Sequence, residues 1–218
     1  EKFNTENLAD LLEKKGGISV QKSQFGGGSP NIRGFEANKI LLVVDGVRLN
    51  NAIYRSGHLQ NIITVDESVL ENTNVVFGPS SVVYGNDALG GIINMETKRL
   101  YFSKEPKIQT QFFSRYASAY NGFSSHQSLS YESNKFSLFN AVSIKDYGDV
   151  IMGTNRSHGY SDWGLVHHYQ SNDEIIDNPN PNIQKNTGFQ QLDIINKMLF
   201  KINNLWGMTS NIQYSTSS

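Results

Sequence analysis

Between Ile108 and Tyr214 the apolar residues keep to every second position, and this period of two constrains the fold more than any other feature of the chain. Ile108, Phe112 and Tyr116 share one side of the first segment, and Gln109, Gln111 and Arg115 share the other. Leu129 and Tyr131 then oppose His126, Ser128, Ser130 and Glu132. Phe136, Leu138, Val142 and Ile144 oppose Ser137, Ser143 and Lys145. Leu192, Ile194, Met198, Phe200 and Ile202 oppose Gln191, Asp193, Lys197 and Lys201, and Trp206, Met208, Ile212 and Tyr214 oppose Thr209, Asn211 and Gln213. Successive side chains of a strand point to opposite faces, so each segment is a ribbon with one apolar and one polar side.

Two architectures use such ribbons. A sandwich turns the apolar sides inward against each other, and a membrane barrel turns them outward to lipid. Loop lengths separate the two. The turns at Asn134-Lys135 and Asn203-Asn204-Leu205 are very short, whereas Gly148 to Gly188 is long, polar and rich in Asn and Pro. Short turns at one end and long loops at the other are the asymmetry of outer-membrane barrels. Phe136 and Trp206 each follow a short turn on the apolar side, where an interfacial aromatic belt belongs. The segments are too few to close around a domain of roughly a hundred residues, because lumen width grows with strand number, so the barrel is expected to be incomplete and the chain a fragment.

Before Pro106 the texture differs. Thr5 can cap an amphipathic run in which Leu8, Leu11 and Leu12 share a face, and Gly16-Gly17 can end it, which predicts a helix over about 5–15. Ile18 to Gln24 alternates as a short strand, and Gly26 to Pro30 reads as a flexible turn. Lys39 to Val44 carries a continuous apolar run rich in β-branched residues and closed by Asp45-Gly46, as in a buried central strand followed by a tight turn. Asp66 can cap a short helix through Leu70, and strands follow over 73–77 and 90–97. Residues 1–100 thus form a small mixed α/β domain, and 106–218 carry the alternating strands.

Composition removes several function classes. The net charge of -1 leaves no basic field for nucleic acid, and the absence of cysteine removes disulfides and thiol chemistry. No apolar stretch reaches the length of about 18 residues that a spanning helix needs. The mean hydropathy of -0.42 is compatible with a barrel, whose strands alternate. Gly78 to Gly85 lacks the Gly-Lys-Ser/Thr ending of a phosphate loop, and no hydrolase or metalloprotease motif occurs, so no enzyme, cofactor or metal site is expected. The glycines read as conformational devices.

Three blocks carry a family resemblance: Asn31-Ile32-Arg33-Gly34-Phe35, then Leu41 to Arg48 with Asp45-Gly46, then Gly78-Pro79-Ser80-Ser81, Tyr84-Gly85 and Ala88-Leu89-Gly90-Gly91-Ile92-Ile93-Asn94. In order and separation they resemble the plug domain of TonB-dependent outer-membrane receptors. The resemblance implies an α+β plug followed by antiparallel transmembrane β-barrel strands, and a receptor that imports a scarce solute such as an iron chelate, haem, cobalamin or a glycan. It implies energy from the TonB-ExbB-ExbD complex and contact with outer-membrane lipid. The energy-coupling TonB box is expected before the first helix, outside Glu1 to Asn4. By the same resemblance Arg33, Gly34, Asp45, Gly46, Arg48, Gly78, Pro79, Tyr84, Gly85, Gly90 and Gly91 build and seat the plug.

Arg48 to His58 is also similar to the segment after the Asp-Gly turn in haem and haemoglobin receptors, which implies Tyr54, Arg55 and His58 as ligand contacts and haem among the ligands. Arg33, Arg48, Arg55, Glu36, Asp45, Asp66 and Glu67 in the plug would need partners inside a lumen, because an unpaired buried charge costs several kcal/mol. The inward-facing Arg115, Glu132, Asp193 and Lys197, with Lys145 and Lys201, are the expected other half of a polar and movable contact. The alternative is a soluble or surface-exposed β-rich binding module without transport.

Overall fold

A computed structural model describes residues 8–14, 16–21, 28–36, 39–49, 62–78 and 88–218. Helix α1 spans Leu8–Lys14 and buries Leu8, Ala9 and Leu12, with Leu11 packed at the edge of the same core. The expected cap, Thr5, lies outside the described residues. Strands β1 (Ser19–Gln21), β2 (Ser29–Ile32) and β3 (Phe35–Glu36) form a small antiparallel sheet. This corrects the reading of Ser29-Pro30 as turn. Both residues are buried in β2, and Pro30 lies opposite Val20 near the start of the strand, at a position the short β3 does not reach, so a missing N–H is tolerated there.

The plug core is a mixed sheet of β4 (Ile40–Val44), β5 (Val47–Arg48), β6 (Leu70–Phe77) and β7 (Gly91–Thr97), in the order β5-β4-β7-β6. Strand β4 runs parallel to β7 and is buried at every position, as a parallel strand covered on both faces must be. Ile40, Leu42 and Val44 pack with α1, Ile32, Ile93 and Met95, while Leu41 and Val43 pack with Ala88 and Ile92 on the other side. The expected helix after Asp66 is one 3-10 turn, Glu67–Val69, and Leu70 already begins β6.

The alternating segments form β8 (Lys107–Ala117), β9 (Gly122–Glu132) and β10 (Phe136–Tyr147). The long loop holds β11 (Val150–Ile151), β12 (His168–Ser171), β13 (Glu174–Asp177) and β14 (Ile183–Gln184), paired as β11-β14 and β12-β13. Strands β15 (Phe189–Lys201) and β16 (Gly207–Ser217) then complete a five-stranded antiparallel wall in the order β16-β15-β10-β9-β8. Its loop end is closed by Tyr120, Tyr147 and Phe189. No described helix is long and apolar enough to cross a membrane, which leaves strand crossings untouched.

Burial along the wall is inverted relative to a soluble sheet. On β10 the side chains of Ser137, Ser143 and Lys145 are buried, whereas Val142 and Ile144 are exposed. On β15 Gln191, Asp193 and Lys197 are buried while Ile194, Met198 and Phe200 are exposed. The polar side faces the plug.

Candidate functional site: the contact between plug and wall

The ladder registers arrange the inward side chains in rows across the strands. One row reads Phe113, His126, Ser143, Asp193 and Ser215 from β8 to β16. A second reads Gln109, Ser130, Phe139, Lys197 and Asn211. Between them Ala141 and Ile195 lie side by side and pack with Phe139 against Val69 of the plug. A small apolar contact is thus flanked by two polar ones.

The second row meets the turn between β4 and β5. Asp45 and Gly46 both have positive φ, 49° and 82°, as a two-residue type I′ turn requires. That turn carries Asp45 to the edge of the plug, where Lys197 Nζ lies 3.0 Å from Oδ2. Thr97 donates to the same carboxylate through its backbone N–H at 2.9 Å and its hydroxyl at 2.6 Å. Asn211 and Gln213 of β16 donate to Oδ2 at 2.9 and 3.1 Å. Burial pushes the Asp45 carboxyl up, but the donors from Thr97 and Lys197 outweigh it, and the net displacement is below the usual aspartate value. Lys197 also reaches the Lys98 carbonyl at 3.2 Å, and Lys98 donates to Ser130 at 3.1 Å while its ammonium lies 5.5 Å from the centre of the Phe139 ring.

The first row meets the 3-10 turn. Asp66 caps that turn by accepting from the Ser68 N–H at 3.1 Å, and its other oxygen accepts from the Ser143 hydroxyl. His126 Nδ1 lies 2.7 Å from Ser143 Oγ and 3.5 Å from Asp66 Oδ2. Lys145 Nζ contacts Glu67 at 2.9 Å and Asp66 at 3.9 Å, at 5% exposure. Burial raises the Asp66 carboxyl, but His126, Lys145, Ser143 and the Ser68 amide together bring it down to about 2. Burial raises Glu67 above the usual glutamate range; Lys145 opposes that and neighbouring Asp66 adds to it. Ser143, His126 and Asp66 are the residue types of a hydrolytic triad, but the geometry differs. Nδ1, not Nε2, faces the serine, the carboxylate lies beyond the serine, and the ring is 1% exposed, so no substrate can reach it.

Of the residues singled out from sequence, the structure brings Asp45 to Lys197, and Asp66 and Glu67 to Lys145. Asp193 stays within the wall, accepting from Gln191 at 2.7 Å. Glu132 pairs in register with Lys107 and Ser137, and Arg115 with Ser124. Arg33 and Gly34, with φ of 51° and 84°, form a second I′-type turn between β2 and β3, and the Arg33 guanidinium sits 5.4 Å from the centre of the Phe77 ring. Arg48 pairs with Val43. Gly78 has φ of 96°, a conformation that favours glycine, and a Cβ on Gly90 would lie 2.3 Å from Phe35 Cβ, so a side chain is strained at the first position and crowded out at the second. Gly91 pairs with both Ile40 and Phe77, and a Cβ there would lie 2.7 Å from the Val76 carbonyl oxygen. Pro79, Tyr84 and Gly85, and the ligand candidates Tyr54, Arg55 and His58, lie outside the described residues. Sequence reasoning placed His126 and Ser143 on the polar side without joining them to Asp66, and missed Thr97 as a partner of Asp45.

An outer-membrane type of strand wall with a small α/β domain seated on its polar side defines the class: a plugged barrel. Residues 1–92 match the family model described as TonB-dependent Receptor Plug Domain, so this part of the chain is similar to the plug of TonB-dependent receptors, and antiparallel strands follow it. Over 99 residues it is 39% identical to the vitamin B12 transporter BtuB of Vibrio vulnificus (strain CMCP6), covering 44% of this chain and 16% of that protein. Its fold is similar to the siderophore receptor PirA of Acinetobacter baumannii, with a TM-score of 0.66 at 17% identity over 99% of this chain and 30% of that one. It is likewise similar to the copper transporter OprC, with a TM-score of 0.71 at 12% identity over 100% of this chain and 29% of that one. The FrpB iron transporter of Neisseria meningitidis gives 0.65 at 16% identity, covering 91% and 27%. The chain therefore spans under a third of the length of each of these relatives.

Proposed function

We propose that this chain, residues 1–100 as plug and 106–218 as the first barrel strands, serves an energy-coupled importer in the outer membrane, in which the plug gates passage of a scarce solute. The observation that carries the reading is the inverted wall. Its apolar side chains face outward and its buried side is polar and filled by the plug, whereas a soluble binding module would bury the apolar side. Among the described residues the plug meets the wall through hydrogen bonds and ion pairs around Asp45 and Asp66 and a small apolar patch between them, which supports a plug that can be displaced without exposing a large core. In this reading TonB, with ExbB and ExbD, supplies the displacement. The solute is an iron chelate, haem, cobalamin or a glycan, the range that the family resemblance implies; relatives named for vitamin B12, a siderophore and iron support its first and third members.

The test is made on the full-length protein in its own membranes. It is expected in the outer-membrane fraction, with a gel band that shifts on heating in detergent, and its deletion should abolish TonB-dependent growth on one of the four solute classes. A soluble protein with no heat shift would overturn the reading.

A further inference from the structure

We propose that His126 is a positioning residue for the plug, fixing the Ser143 oxygen so that the hydroxyl proton is directed at Asp66. Hydrogen-bond arithmetic leads there. An ionised Asp66 can only accept, so the Ser143 hydroxyl donates its one proton to Oδ2, and the 2.7 Å contact from His126 must then be an Nδ1–H donating to Oγ. The low titration range of Asp66 agrees with an ionised carboxylate.

A serine hydroxyl turns freely among staggered positions, and this one has a second carboxylate nearby. The register places Asp193 directly across from Ser143 on β15, at the spacing of facing strand residues. Turned toward Asp193, the hydroxyl would satisfy the wall; turned toward Asp66, it holds the plug. A donor from the β9 side leaves Oγ an orientation in which its proton faces the plug. The imidazole is itself fixed, stacked on Phe113 with centroids 5.4 Å apart and 1% exposed, so water does not compete for Nδ1. Three strands thus combine to aim one proton at the plug.

The proposal rests on the plug being a seated, movable domain, as proposed above, and its test keeps the two apart. Hydrogen exchange is measured on residues 66–77 of the ligand-free full-length protein, with the heat-shifted band as control for the barrel. His126→Phe keeps a ring but removes the donor, and exchange should accelerate about tenfold, the size of one hydrogen bond in a charged network. His126→Asn places an amide nitrogen near the Nδ1 position and should stay within about threefold of the native protein, whereas His126→Gln, which places it near Nε2, should behave as Phe. In a Ser143→Ala background, His126→Phe should accelerate exchange clearly less than in the native protein, because most of its effect runs through Ser143 and only the 3.5 Å approach of Nδ1 to Asp66 remains.

Additive effects of the two substitutions, or equal exchange in the Asn and Gln variants, would overturn the role of His126 while leaving the importer reading intact. If His126→Phe does not assemble, the Asn and Gln pair decides alone. A native protein with no heat-shifted band would instead remove the importer reading, and the positioning role with it.

Discussion

The plug and the wall use the same residue types in opposite senses. In the plug, Ile40, Leu42, Ile93 and Met95 are buried between helix and sheet, and charge stays at the edges. In the wall, Ile144, Ile194 and Met198 are exposed and Lys145, Asp193 and Lys197 are buried. One domain hides its apolar side chains within itself, and the other turns them outward and keeps its polar side for a partner. The contact between them inherits the wall's polarity, which is why its strongest elements are Lys197 with Asp45 and Lys145 with Asp66 and Glu67. Such a contact is less costly to rehydrate than the plug core, whose apolar side chains would be exposed to water.

The comparison can be broken most severely in the plug. Leu42→Asp buries a charge on the central strand and should cost more than about 4 kcal/mol. The plug should become protease-sensitive in the full-length protein while the barrel keeps its heat-shifted band. Next comes Lys145→Met, which leaves Asp66 and Glu67 without their cation and should weaken plug seating by about 3 kcal/mol. The denaturant midpoint of a plug probe reads this, and an unchanged midpoint would mean the lysine is solvated.

Third, Asp66 has a lowered folded value, so its contribution is present above the ordinary aspartate value of 3.8 and is lost as pH falls from there toward about 2. The loss should amount to about 2 kcal/mol, and Asp66→Asn should remove that acid limb from a titration of plug seating. The smallest effect is expected on the outward face. Ile194→Ala should change stability in membranes by less than about 1 kcal/mol, whereas Ile93→Ala in the plug core should cost about 2–5 kcal/mol. Equal losses would mean that the outer face of the wall is packed against protein.

Much of the wall could be read directly. Period two places Lys145, Lys197 and Asp193 on one side whatever the environment, because strand geometry alternates side chains by itself. The central position of Ile40–Val44 and the turn at Asp45-Gly46 were legible for a similar reason, since an unbroken apolar run with β-branched residues and an Asp-Gly pair each admit few conformations. Pro30 was misread because a proline is most often punctuation, and only its pairing with Val20 shows a strand.

The polar contact was half legible. Charge type selected Asp45, Asp66, Glu67, Lys145 and Lys197, but which meets which depends on ladder register and on where the plug sits across the rows. His126 shows the limit. From sequence it is one polar residue on an alternating strand; in the fold the register brings it beside Ser143, and the plug brings Asp66 to the same point. What the sequence determined by itself was local: alternation, turns, the apolar central strand and the three plug blocks, all set by neighbouring residues. What only the tertiary structure decided was the pairing of plug to wall, because residues 77 positions apart, such as Asp66 and Ser143, meet only after two separately patterned sheets are docked.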